Sequence, residues 1–337
     1  MSTPISVIAI DEAHCVSEWG HDFRTAYLNL GRISRAYCTA YSVTPPLIAL
    51  TGTASKIVLK DVQRELGITD FDAVITPTSF DRSELQFTVV TCSSSEKSHR
   101  VQGFITRLPA HFKVSSNSFF LPRGQKSHAG LVFCPHVNGD YGVVSVSEHL
   151  SGVLPVPVEI YSGAPPRNVN QVNWSAQKRD TAKRFKRNNA MVLACTSAFG
   201  MGIDKPNIRY TIHIALPDSI ESFYQEAGRA GRDRARAECA LVVSNDDPRR
   251  SEYLLNPATP LEDIKRVIDE TKRDDQDDVM RALWFHVRSF RGQEEELREL
   301  GSVLDKLGDL GKRRVVRLER YLTRPGSLPR GDGEGDS

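Results

Sequence analysis

No stretch of the 337 residues approaches the ~20 consecutive apolar residues of a membrane-spanning helix. The N-terminal segment also lacks the basic and apolar regions of a secretory signal. The six cysteines, Cys15, Cys38, Cys92, Cys134, Cys195 and Cys239, form no C-x-x-C pair, so reduced structural thiols are expected and no zinc site or disulfide frame. Charge of one sign is missing too: 44 basic residues nearly cancel 42 acidic ones, and a nucleic-acid partner has to be argued from local placement. With 39% hydrophobic residues, collagen-like, mucin-like and wholly disordered classes are excluded. What is left is a soluble chain of about two domains of ~150 residues each. It is expected in the cytoplasm or nucleoid of a bacterium, or the nucleus of a eukaryote, not secreted and with no membrane partner.

Eight short apolar runs punctuate the first 247 residues: Ile5–Ile10, Leu47–Leu50, Gln86–Thr91, Leu131–Cys134, Val156–Tyr161, Met191–Thr196, Tyr210–Ile214 and Ala240–Val243. Each is followed by a turn and a helical period, the grammar of buried parallel sheets with helices on both faces. The fold class is therefore α/β, with two tandem parallel-sheet domains, the first incomplete. The expected boundaries are 1–91 for the first domain, 92–129 for a polar, Ser-rich linker or insertion, and 130–247 for the second domain. A helical extension is expected over 248–325 and a disordered tail over 326–337. In the extension, Thr259-Pro260-Leu261-Glu262 has the spacing of a capping box, with Leu261, Ile264, Val267 and Ile268 on one face. Trp284, Phe285 and Phe290 are its expected packing anchors. Its basic end, Lys312, Arg313, Arg314, Arg317, Arg320 and Arg324, is either a phosphate contact or a solvated helix face.

Asp11-Glu12-Ala13-His14 follows the first apolar strand, at the edge where open α/β sheets place ligands. Adjacent carboxylates there suit a hydrated Mg²⁺ and a polarised water, or else form a solvated acidic turn before a helix. Trp19, Phe23 and Tyr27 then stand beside His21 and Arg24, a set that can stack bases and neutralise a phosphate or anchor a core. Near the end of the second domain, Arg229 and Arg232 project from a Gly-punctuated turn after a helix that begins near Ile220 and ends at Gly228. Forked guanidiniums suit phosphate oxygens, although two arginines closing a helix also satisfy its dipole. Gly200 and Gly202 permit close approach of backbone to a phosphate or sugar.

Taken together, these segments resemble the RecQ-type superfamily-2 DNA helicases. Asp11–His14 with its aromatic-rich sequel resembles the second motif, and Leu50-Thr51-Gly52-Thr53-Ala54 the third. Ser79–Arg82 resembles the exit from the first RecA-like domain, Leu131–Cys134 the fourth motif's strand, and Tyr161-Ser162-Gly163 a phosphate-contacting turn. Ala198–Pro206 and Ser222–Asp233 resemble the fifth and sixth motifs.

The resemblance implies two RecA-like domains that close around ATP and Mg²⁺ and step 3′ to 5′ along DNA, single-stranded or duplex. It implies roles residue by residue. Asp11 would hold Mg²⁺ through water, Glu12 would polarise the attacking water, and His14 would couple nucleotide state to Thr51 and Thr53. Arg232 would be the arginine finger with Arg229 beside it, while Gly200, Gly202, Asp204 and Gln225 would line the nucleotide. Trp19, Phe23 and Arg24 would contact single-stranded DNA, and Ser162, Gly163 and Thr196 would hold its backbone.

Two departures accompany the match. No G-x-x-x-x-G-K-[ST] occurs in the chain, so the cradle and lysine for β- and γ-phosphates are missing. The expectation is a C-terminal part of such a helicase, inactive alone and dependent on a segment, or a partner chain, that carries the phosphate loop. A non-hydrolysing nucleic-acid-binding module or one half of a split helicase is the other reading, and a decayed remnant a third. After Cys239 no cysteine remains for the four-cysteine zinc module of bacterial RecQ proteins. Residues 1–91 are expected to be marginal alone, and 125–247 to bury a proper core.

Overall fold

The computed structural model describes residues 4–16, 27, 29–52, 56–70, 73–75, 82–167, 169–199, 203–217, 220–256, 258–271 and 276–288. The chain divides into two compact units, with Arg82 opening the second. Among the described residues no helix is long and apolar enough to cross a membrane.

In the first unit, β1 (Ile8–Ile10) pairs in parallel with β2 (Leu47–Ala49), Ile8 opposite Leu47 and Ile10 opposite Ala49. The helices α1 (Leu30–Cys38) and α2 (Lys56–Glu65) accompany them. One small core joins Ile10, Ala13 and Val16 to Val58, Val62 and Leu66. Gly31 of α1 lets the backbones meet, since a Cβ there would stand 2.9 Å from the Glu65 carbonyl oxygen. Arg35 then donates to the Leu66 and Gly67 carbonyls at 2.6 and 3.0 Å, satisfying acceptors that the end of α2 leaves open.

The second unit is built on a six-stranded, wholly parallel sheet. Its strands are β3 (Leu85–Cys92), β4 (Ala129–Phe133), β5 (Val158–Tyr161), β6 (Val192–Cys195), β7 (Ile208–His213) and β8 (Ala237–Ser244), in spatial order β3-β8-β7-β4-β6-β5. Both faces are covered by helices, so β4, β6, β7 and β8 are buried at every position, as their unbroken apolar runs require. The helices are α3 (Lys97–His111), the short α4 (Ser116–Phe119), α5 (Val143–Ser151), α6 (Gln171–Lys186) and α7 (Ile220–Ala227). They are followed by α8 (Pro248–Leu255), α9 (Leu261–Glu270) and α10 (Asp278–Arg288). The α/β class and all eight expected strands are present, and all six cysteines are free thiols, five of them buried.

The structure revises three expectations. The strand expected to close the first domain at Thr91 belongs to the second sheet, where all eight residues of β3 run in register with Ala237–Ser244. An apolar run reports that a strand is buried, not which sheet buries it. Residues 92–129 are no linker: α3 packs Val101, Ile105 and Leu108 inward, and Phe119 and Phe120 are buried beyond it. Polar flanks, Gly103 and Pro109 obscured that helical period.

The Thr259 capping box does not form either, because the Thr259 hydroxyl donates to the Tyr253 carbonyl and α9 starts without a side-chain cap. The cap lies one helix earlier, where Asp247 accepts from the Arg250 amide at 3.0 Å with Pro248 opening α8. Leu254, Ile264, Ile268, Val279, Met280 and Leu283 form the core of the helical extension, with Trp284 packed against it. The Phe285 side chain, Phe290, the basic stripe and the 326–337 tail lie outside the described residues.

Candidate functional site

In the first unit the chain leaves β1 directly into Asp11 and Glu12, both exposed. The Asp11 carboxylate accepts from the Glu12 amide at 2.9 Å, and Glu12 holds a left-handed φ of 50°, a conformation that costs a non-glycine residue about 1 kcal/mol or more. The turn is pinned to β2 because the Ala13 amide donates to the Leu50 carbonyl at 2.9 Å. His14, only 6% exposed, stands 2.9 Å through Nδ1 from the Thr51 hydroxyl and 3.4 Å from the Glu12 carboxylate. One imidazole thus touches both the acidic turn and the end of the second strand. Two exposed carboxylates fit a hydrated Mg²⁺, which takes one or two of them and completes its shell with water and phosphate oxygens.

The second unit carries the arginines. α7 ends at Ala227, and Gly231 takes a φ of 64° while its amide donates to the Ile208 carbonyl at 3.0 Å. That turn exposes Arg232, whose Nη1 donates to the Asp204 carboxylate at 3.1 Å. Gln225 and Arg229 are half-buried along the same segment. At the other end of the sheet edge, Ser162 is fully buried and its hydroxyl donates to the Ala164 carbonyl at 2.6 Å. The exposed part of that turn is Gly163, whose carbonyl accepts from Lys178 Nζ at 3.1 Å. Thr196, half-buried, donates its amide to the Tyr161 carbonyl at 3.1 Å, so β5 and β6 deliver Gly163 and Thr196 to one edge. Trp19, Phe23, Arg24, Thr53, Gly200 and Gly202 lie outside the described residues.

Sequence reasoning gave Arg82 no role, yet it organises the arginine turn. Its Nη1 donates to the Gly228 carbonyl at 2.6 Å, its Nη2 to the Ala230 and Gly231 carbonyls at 2.9 and 3.1 Å, and its Nε to Glu84 at 2.8 Å. Burial raises the Glu84 pKa, but the Arg82 hydrogen bond and charge outweigh it and hold the carboxyl below its usual range. The available signal was Arg82 itself, the arginine that ends the Ser79–Arg82 motif.

The Helicase conserved C-terminal domain family matches residues 119–234. The chain is 35% identical over 243 residues to the ATP-dependent DNA helicase RecQ of Pasteurella multocida, covering 72% of this chain and 32% of that protein. It is 32% identical over 280 residues to the probable ATP-dependent DNA helicase RecS of Bacillus subtilis, covering 82% of this chain and 49% of that one. The chain thus spans about a third to a half of the length of the curated relatives it matches. Among solved structures it is similar to S. cerevisiae Dbp5 bound to RNA and ADP BeF3, with a TM-score of 0.51, 12% identity, and coverage of 73% of this chain and 55% of that one. It is also similar to the DEAD-box helicase Mss116 bound to ssRNA and UDP-BeF, with a TM-score of 0.53, 14% identity, and coverage of 90% and 60%. These likenesses show a RecA-like α/β fold, and the sequence similarity to RecQ-type helicases extends across both units.

Proposed function

We propose that the chain supplies the hydrolytic residues and part of the DNA grip of an ATP-dependent, 3′-to-5′ DNA helicase of RecQ type. The observation that carries this reading is the His14 bridge: a solvated acidic turn has no need of a buried imidazole bonded to Thr51 and adjacent to Glu12. Similarity to RecQ proteins over both units supports it.

In this reading Asp11 would orient the waters of a hydrated Mg²⁺, which would supply charge neutralisation at the ATP phosphates. Glu12 would accept the proton of the attacking water, held in place by the strained turn and by His14. Arg232 would exchange Asp204 for the γ-phosphate, where a forked guanidinium stabilises developing charge. Arg82 acts on Arg232 as a positioning residue by fixing the three carbonyls of the turn. Gly163 and Thr196 would hold the backbone of a single strand, with Ser162 shaping the turn from inside. A second reading is a nucleic-acid-binding module without turnover or one half of a split enzyme, and because no G-x-x-x-x-G-K-[ST] occurs in these residues the two readings are separated by the turnover test below.

Binding of labelled single-stranded DNA and DNA-stimulated ATP hydrolysis test the proposal together. The chain is expected to bind the strand with a steep salt dependence and to hydrolyse nothing by itself. Turnover is expected once a polypeptide bearing the phosphate loop is added, and Arg232→Ala in that mixture should abolish it while DNA affinity stays within about twofold. Robust turnover by the chain alone would overturn the part given to the phosphate loop. Equal loss of binding and turnover would make Arg232 structural.

A further inference from the structure

The second sheet ends in two different edges, β5 on one side and β3 on the other. β5 is short, carries the charged Glu159, and has the backbone groups of Val158 closed by serines of α5. The Val158 amide donates to Ser151 Oγ at 2.9 Å, and its carbonyl accepts from Ser147 Oγ at 2.6 Å. Short length, charge and covered backbone groups are the usual guards of a sheet edge. β3 has none of them. Its eight residues, Leu85–Cys92, include no charge, proline or glycine, and it runs beside β8 without a bulge.

The hydrogen bonds to β8 fix which groups face outward. The Glu84 carbonyl accepts from the Ala237 amide at 2.8 Å, and the Cys92 carbonyl from the Asn245 amide at 2.9 Å. Backbone direction alternates along a strand, so Gln86, Thr88 and Val90 also aim at β8, while Leu85, Phe87, Val89 and Thr91 aim away from it. Leu85 is closed at the start of the strand, its amide donating to the Arg82 carbonyl at 2.9 Å and its carbonyl accepting from Gln86 Nε2 at 3.4 Å. Among the described residues, nothing meets the outward amides and carbonyls of Phe87, Val89 and Thr91.

These outward positions are spaced evenly about Val89, so an antiparallel copy of the same strand meets them in kind. Phe87 falls opposite Thr91 of the second copy and Val89 opposite Val89, each pair exchanging two N–H···O bonds. Charge chooses the direction. At the amino end of β3 the exposed Arg234 stands 3.7 Å from Glu84. At the carboxyl end the exposed Asp246 accepts from the Ser94 amide at 2.6 Å, and the exposed Glu96 follows. Antiparallel pairing sets the arginine of one copy toward the carboxylates of the other at both ends, whereas parallel pairing sets like against like. We propose that β3 is the contact of a two-fold homodimer, in which the second sheets of two copies join edge to edge into one continuous sheet. The proposal is independent of the helicase reading, in which Phe87, Val89 and Thr91 have no part.

Sedimentation velocity of the full chain over about a hundredfold range of concentration tests it, with the average mass expected to rise from one chain to two. Val89→Pro removes the outward amide at the two-fold axis and spares the bonds to β8, which Thr88 and Val90 make. It should raise the dissociation constant of the dimer at least about tenfold. Thr91→Lys places an edge-guarding charge at an exposed position and should do the same without disturbing the fold. Ile48→Lys, at an exposed apolar position of the first unit, should leave the dimer as it is. A chain that stays monomeric throughout overturns the proposal. A dimer that Thr91→Lys leaves intact, or that Ile48→Lys dissolves, overturns it too, because the contact then lies elsewhere.

Discussion

The two units spend their apolar sequence differently. In the second, four strands are buried at every position and the helices seal both sheet faces. In the first, two three-residue strands share one small core, while Ile48 and Leu50 remain 48% and 50% exposed and Ile5 and Val7 are exposed just before β1. A parallel sheet is stable when both faces are covered, so the first unit holds its acidic turn on a thinner support than the second gives its arginines. The polar interior follows the same contrast. The second unit buries a charged cluster, Lys97, Asp278, Arg281 and the Ser244 amide, whereas in the first the buried His14 meets Thr51 and the exposed Glu12.

The largest expected effect lies in that cluster. Lys97 and Asp278 are both fully buried, and Asp278→Ala would leave the Lys97 ammonium without a counter-charge deep between β8 and α10. Removing one partner of a buried pair costs about 3–5 kcal/mol, so the urea midpoint followed through the second unit should fall steeply. A loss below about 1 kcal/mol would mean the cluster relaxes on to water, and the contrast in burial would lose its energetic meaning.

Amide hydrogen exchange addresses the contrast directly. The backbone amides of Val192–Cys195 and Ala237–Ser244 should be protected at least about a hundredfold more than those of Ile8–Ile10 and Leu47–Ala49, a difference of roughly 3 kcal/mol in opening free energy. Equal protection in the two sheets would show that the first unit's small core is sufficient for its fold.

How far all this was legible depended on distance along the chain. The eight strands and the helices of the second unit other than α3 and α4 could be read because periodicity is local, and the Asp11–His14 and Arg229–Arg232 turns because motif spacing is local too. The Lys97–Asp278 pair joins positions 181 residues apart, and Lys97 sits in a Ser-rich stretch whose polarity reads as solvent exposure. Arg82 likewise meets its carbonyl partners 146 to 149 residues away. β3 found its sheet through pairing with β8, which no pattern inside Gln86–Thr91 encodes.

The smallest effect, and the finest probe of the second unit's interior, is the titration of Lys205. It is 2% exposed, donates to Asn188 Oδ1 and lies 5.1 Å from the Phe185 ring centre, with no carboxylate partner among the described residues. Burial pushes its pKa down to about 8 from an ordinary 10.5. Between those values the unfolded chain holds a proton that the folded chain has released, so unfolding takes up protons and stability rises with pH through that window. Below about 8 both states are protonated and the burial penalty is constant. Lys205→Met removes the group, and the gap between the two proteins in unfolding free energy should shift by roughly 2 kcal/mol in favour of the unaltered chain from pH 8 to 9.5, since each unit of pH carries about 1.4 kcal/mol. Taking the difference cancels the other lysines and tyrosines that titrate in the same range. A gap that stays constant with pH would place Lys205 in contact with water and weaken the picture of a sealed second unit set against an open first one.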